Sequence, residues 1–111
     1  MKLIFIAGPY TGISRGEVED NISLARDMAE RLVEHKLAFI CPHTNSSHMH
    51  DLADAGYWYD FYITILLKCD ALITVGEWQK SVGATAEVAT AERHQIPIFH
   101  DLAKLVRWAG R

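Results

Sequence analysis

Residues 71–87, ALITVGEWQKSVGATAE, decide how this chain folds. The run Ala71-Leu72-Ile73-Thr74-Val75 is apolar and partly β-branched, which suits a strand buried on both faces. Glu77 to Lys80 then turns the chain, and Ser81 opens an alanine-rich run that reads as a helix to about His94. Helix side chains tilt back toward the N-terminus. Glu87 therefore leans toward the end that carries Ser81 and Gly83. Its helical neighbours Gly83, Ala84, Thr90 and Ala91 include no cation. A carboxylate with no local salt-bridge partner and only small residues around it is placed to meet a ligand. The plainer alternative is a solvated helix carboxylate.

Working outward, Lys2 to Ala7 (KLIFIA) is a short apolar strand ended by Gly8-Pro9. Thr11 to Gly16 is a polar, glycine-bearing loop, and Glu17 to about His35 repeats Val18, Ile22, Ala25, Ala29 and Leu32 at helical spacing. Leu37 to Cys41 reads as a second strand, stopped by Pro42. His43 to Gly56 reads as a long polar loop with a helical piece, and Tyr57 to Lys68 as a helix. Beyond the deciding stretch come a short strand, Ile96 to Phe99, and an amphipathic helix, Asp101 to Trp108. Strands alternating with helices predict a parallel sheet covered on both faces, with right-handed crossovers. In such sheets ligands sit beyond the carboxyl ends of the strands. The segments after the strands, near Gly8, Pro42, Gly76 and His100, should therefore converge on one cleft.

Composition narrows the function. A chain of 111 residues, half of them hydrophobic, makes one domain spanning residues 1–111. Apolar stretches such as Phe61 to Leu67 are too short to cross a bilayer, and Met1-Lys2 runs into a strand without a signal-peptide pattern. A cytoplasmic protein is the expectation. Cys41 and Cys69 lack a CxxC spacing and read as reduced core residues. A net charge of −3 without a Lys/Arg cluster argues against a nucleic-acid polymer or an anionic membrane as partner. A helix N-terminus can still bind a nucleotide through its backbone amides.

Around the first strand, Gly8 allows close backbone approach, and Tyr10 can stack on a base or simply close a turn. No GK[ST] or GxGxxG pattern follows, which disfavours ATP hydrolysis and dinucleotide redox chemistry. Arg15, placed just before the first helix, can meet a phosphate or remain solvated. Ser81 and Gly83 can offer a hydroxyl and N–H groups to an anion, or serve only as a helix cap. Trp78 is close enough to Ser81 to border the pocket, although Trp58, Trp78 and Trp108 also suit core or subunit packing. His43, His48, His50 and Asp51 raise a metal-dependent hydrolase as a further alternative, unsupported by any HExxH or CxxC.

In order and spacing, several segments together resemble the nucleoside 2-deoxyribosyltransferase superfamily, including its deoxynucleoside 5′-monophosphate N-glycosidases. They are Gly8-Pro9-Tyr10, the Asn21/Ala25/Ala29 helix, Pro42-His43-Thr44-Asn45, Cys69-Asp70-Ala71-Leu72 and Ser81-x-Gly83-x-x-x-Glu87. The resemblance runs from Lys2 to about Phe99 and is closest to small phage- and bacteria-associated members. It implies a flavodoxin-like (Rossmann-like) α/β domain that needs no cofactor and acts on a nucleoside or nucleotide. By the same resemblance Glu87 is the nucleophile at the sugar C1′. Gly8, Tyr10, Ser81 and Gly83 cradle sugar and phosphate, Asn45 or Asp60 is the candidate to contact the base, and Pro9, Arg15, His43 and Trp78 are further substrate-binding candidates. Transferases often have an aspartate where this chain has Ser81, and monophosphate hydrolases have a serine, which tilts the expectation toward a nucleotide.

Breaking an N-glycosidic bond builds positive charge at C1′, which a carboxylate can stabilise or trap, as in retaining glycosidases. Many relatives place an aspartate eight residues before the one matching Asp70. Here that position is Tyr62, and Asp60, two residues earlier, lies on another face of the helix. Asp60 and Tyr62 are thus the candidates at the base. A non-catalytic nucleotide-binding domain is the competing expectation, and Asp70 itself reads as structural. Related enzymes complete their pockets with a neighbouring subunit. The band Tyr57-Trp58-Tyr59 and Phe61-Tyr62 exceeds what one helix face can bury, so a homodimer or homotetramer is expected.

Overall fold

The computed structural model describes residues 1–10 and 14–111; the expected loop residues Thr11, Gly12 and Ile13 lie outside them. Four parallel strands, β1 (Leu3–Ala7), β2 (Ala38–Ile40), β3 (Ala71–Thr74) and β4 (Ile98–Phe99), are ordered β2-β1-β3-β4. Five helices are described with them: α1 (Arg15–Glu34), α2 (Pro42–Asn45), α3 (Ala55–Leu66), α4 (Val82–Arg93) and α5 (Leu102–Trp108). The fold is the α/β sheet expected, helix-covered on both faces. β3 is buried along its length and β1 from Ile4 onward, because each face has its own core. Ile4, Ile6 and Ile73 pack with Ala25, Ala29 and Leu32 of α1 and Leu105 of α5. Phe5, Ala7 and Leu72 point the other way, into Leu66 of α3 and Ala84, Val88 and Ala91 of α4. None of the described helices is long and apolar enough to cross a membrane.

Element limits differ from the sequence reading where caps decide them. Ser14 caps α1 by accepting the Glu17 N–H at 3.2 Å, so Arg15 is the first helical residue and does not precede the helix. Asp54 caps α3 by accepting the Tyr57 N–H at 2.8 Å, which starts that helix at Ala55 and ahead of Tyr57. The polar stretch after β2 carries the expected helical piece as α2 and adds a 3-10 turn over His50–Leu52. A second 3-10 turn, Trp78–Lys80, replaces the expected turn before α4.

Asp70 has a structural task. Its Oδ2 accepts the Leu3 N–H at 2.7 Å while its own N–H donates to the Leu3 carbonyl at 2.8 Å. It thereby sets the pairing in which Ile4 lies opposite Ala71. β1 has β2 on one side and β3 on the other, so the order in which strands are added to the parallel sheet reverses between β1 and β3. A cleft opens at the carboxyl ends of strands at such a switch point.

Candidate functional site

At that point the backbones of Gly8 and Val75 close on one another. A Cβ on Gly8 would stand 2.4 Å from Val75 Cγ2 and 3.0 Å from the Val75 carbonyl oxygen. The buried Gly8 therefore serves the junction of β1 and β3 first, and the bare floor it leaves belongs to the cleft. Gly76 next to it has φ +59°, the left-handed region that glycine occupies without strain, and so turns the chain out of β3.

The cleft has a volume of about 690 Å³, within the usual range for small-molecule sites. Of the residues expected there, Gly8, Tyr10, His43, Tyr62, Ser81, Gly83 and Glu87 line it together. Five others stand outside its lining. Pro9 has its ring against Gly76 and its carbonyl oxygen 2.7 Å from His43 Nε2. Arg15 is exposed and lies 3.5 Å from Glu19 one helical turn on. Asn45, at the end of α2, and Asp60, on α3, are both exposed. Trp78 faces away, stacked on His100 at 5.4 Å with the rings 7° apart. Sequence spacing placed these residues near the cleft, but helix phase and local partners turned their side chains elsewhere.

Ser81 is the N-cap of α4: its Oγ accepts the Ala84 N–H at 3.1 Å, and its carbonyl oxygen accepts the Thr85 N–H at 2.9 Å. This leaves the Ser81 hydroxyl hydrogen, with the N–H groups of Val82 and Gly83, at the mouth of the helix. A Cβ on Gly83 would approach only Ser81 Oγ, at 4.0 Å, so this wall is open. Lys80 also lines the cleft, its Nζ 3.1 Å from Glu77 Oε2. It lies beside the cap with nothing in its sequence context to set it apart from a solvated turn lysine.

Glu87 sits one turn into α4, between the buried Ala84, Val88 and Ala91. Among the described residues no hydrogen bond or ion pair reaches its carboxyl group. The hydroxyl three residues on, Thr90 Oγ1, donates to the Ala86 carbonyl at 2.9 Å and accepts from Arg93 Nη2 at 3.0 Å. Burial without a partner pushes the Glu87 carboxyl up to about 8.

Across the cleft, His43 is buried and its Nε2 faces the Pro9 carbonyl, which can only accept. Nε2 therefore carries the hydrogen, and the buried Nδ1 is a bare acceptor with no partner among the described residues. Burial lowers the His43 pKa, more than the Pro9 contact raises it, so the ring is held neutral. Tyr10 meets this ring edge-on at 5.6 Å. Tyr62 forms a short hydrogen bond with Ser46 Oγ and donates to the Pro42 carbonyl at 3.2 Å. Its hydroxyl thus ties α2 to α3. Trp58 stacks on Tyr62 at 6.5 Å and, with the exposed His48 and His50, completes this wall. Among the described residues no three His, Cys, Asp or Glu side chains gather as a metal site.

The α/β fold is shared with solved structures of other proteins. The chain superposes on the 2-deoxyribosyltransferase from the psychrotolerant bacterium Bacillus psychrosaccharolyticus with a TM-score of 0.68 at 12% identity, over 86% of this chain and 69% of that one. It matches a conserved protein from Enterococcus faecalis V583 with a TM-score of 0.62 at 19% identity, over 88% of this chain and 61% of the other. By sequence, residues 2–101 match the family described as "Domain of unknown function (DUF7768)", and the chain belongs to that family. No curated protein matches it.

Proposed function

We propose that the protein cleaves, or transfers the sugar across, the N-glycosidic bond of a (deoxy)nucleoside or its 5′-monophosphate, with Glu87 as nucleophile. The observation that carries this reading is Glu87 itself, a half-buried carboxylate that lines the cleft one turn below a helix N-terminus with no partner among the described residues. A carboxylate so placed stabilises the cation that develops at C1′ and can trap it as a glycosyl ester. The fold shared with a 2-deoxyribosyltransferase supports the same chemistry. Base release followed by chromatography across a panel of nucleosides and 5′-monophosphates tests it. Tight binding without turnover would favour the non-catalytic reading, for which the commitment of Tyr62 to Ser46 and Pro42 speaks.

In this reading the start of α4 takes the 5′-phosphate. The Ser81 hydroxyl, the Val82 and Gly83 N–H groups and the Lys80 ammonium converge there, and the helix dipole adds to their attraction. Monophosphates should be processed better than nucleosides. Ser81→Asp keeps the cap but adds a repelling charge, and should reverse that preference. Equal handling of both substrates by the wild type would remove the phosphate site.

The protein is further proposed to act as a homodimer or homotetramer. Leu66 is the only buried residue of α3, while Tyr57 and Tyr59 on that helix are 52% and 47% exposed. Light scattering coupled to size exclusion at micromolar concentration should give a multiple of 12.5 kDa. A monomer that turns over substrate would exclude a shared site.

A further inference from the structure

The proposed reaction needs a proton for the departing base, and this cleft has no second carboxylate among its described lining to supply it. The other titratable side chains of that lining are Tyr10, His43, His48, His50, Tyr62 and Lys80. Four of these are poorly suited. His43 is held neutral, with its one N–H turned to Pro9 and a bare nitrogen on the other side. The Tyr62 hydroxyl is engaged by Ser46 and Pro42, and phenols such as Tyr10 are weak acids near neutrality. Lys80 is paired with Glu77 beside the helix start, at the proposed phosphate end.

His48 and His50 remain, and imidazole is the side chain that gives and takes a proton near neutrality. His50 has the better support of the two. Its carbonyl accepts the Trp58 Nε1–H at 3.1 Å, which pins the loop to the aromatic wall. Its Nε2 lies 3.1 Å from the Oδ1 of the exposed Asp51, a carboxylate that can accept the Nε2–H and orient the ring. With Nε2–H held by Asp51, Nδ1–H is the proton free to leave. Resting on the glycosidic reading of Glu87, we propose that the His48–His50 loop, with His50 as donor, delivers the proton to the departing base.

The step balances without a cofactor. As the C1′–N bond breaks, its electron pair moves to the base, a Glu87 oxygen bonds to C1′, and the His50 Nδ1 proton passes to the base. Water then attacks C1′, the ester electrons return to Glu87, and the proton shed by water restores His50. The base and the sugar are both released, and both side chains end as they began.

A leaving group that needs no proton separates this role from a structural one. 2′-Deoxyguanosine 5′-monophosphate is compared with its N7-methylated form, whose base already carries positive charge. His50→Gln, and the double variant His48→Gln/His50→Gln, should lose about 100-fold or more in kcat/KM on the unmethylated nucleotide. On the methylated nucleotide they should stay within about threefold of wild type, since no general acid is required there. Equal losses on both substrates, or a loss on neither, would overturn the proton-donor role. Glu87→Gln should lose both activities. If wild type releases base from neither nucleotide, the glycosidic reading fails and this inference with it. If wild type and Glu87→Gln behave as stated while the histidine variants match wild type, only the inference fails.

Discussion

Glu87→Gln should abolish base release, by at least about 10³-fold in kcat/KM, and at the same time raise stability in alkaline solution. Both effects come from one fact: the carboxyl group is half-buried in the cleft with no partner among the described residues to stabilise its charge. Glutamine keeps the shape and hydrogen-bonding capacity but cannot stabilise or trap a cation at C1′. For stability, the folded carboxyl at about 8 lies above the ordinary glutamate value of 4.5, so between these pH values the folded state binds more protons than the unfolded. Stability therefore falls as pH rises through that window. The full penalty, reached above about pH 8, is of the order of 5 kcal/mol at most, and glutamine removes it. Melting temperatures of both proteins across pH 4–9 and turnover at each pH check this together. The two melting curves should separate progressively above about pH 4.5, with the variant higher. Parallel curves would refute the half-buried, partnerless state, and full activity in Glu87→Gln would eliminate the mechanism. In wild type, kcat/KM on the N7-methylated nucleotide, which needs no general acid, should rise with pH toward about 8, because only the ionised carboxylate attacks.

Gly8→Ala should be the most damaging small substitution at the cleft floor. The added Cβ would lie 2.4 Å from Val75 Cγ2 and 3.0 Å from the Val75 carbonyl oxygen, where neither strand end can yield freely. Val75 is itself pinned by its N–H donating to the Ala7 carbonyl at 2.9 Å. Overpacking of this kind costs about 2–3 kcal/mol, which for a domain of this size lowers the melting temperature by roughly 10 °C. Val75→Ala removes the closest atom, so the double variant Gly8→Ala/Val75→Ala should be more stable than additivity of the single changes requires. The backbone carbonyl still crowds the new Cβ, and the rescue should be partial. A Gly8→Ala protein that melts with wild type would mean the β1–β3 junction opens without strain.

The layered α/β fold was legible in the sequence because its signals are local. Ile4–Ala7 and Ala71–Thr74 are continuous apolar runs, which only a strand covered on both faces requires, and the α1 alanines recur at helical spacing. The lean of Glu87 toward Ser81 is likewise a property of one helix and could be read from spacing alone. Asp70 was readable as structural from its place at the strand start, although its bond to the Leu3 N–H spans 67 residues of sequence.

Only the tertiary structure decided which neighbours each side chain meets. Spacing in sequence could not turn Trp78 onto His100, commit Tyr62 to Ser46 and Pro42, or face His43 Nε2 toward Pro9. Nor could it reveal that Gly8 is required by Val75, or that Lys80, His48 and His50 share a cleft with Glu87. The physical reason is the same in each case. Periodicity and caps are set by bonds within a few residues, whereas burial, pKa and hydrogen-bond partnership depend on segments that meet only when β1 and β3 pair and α2, α3 and α4 close over their ends.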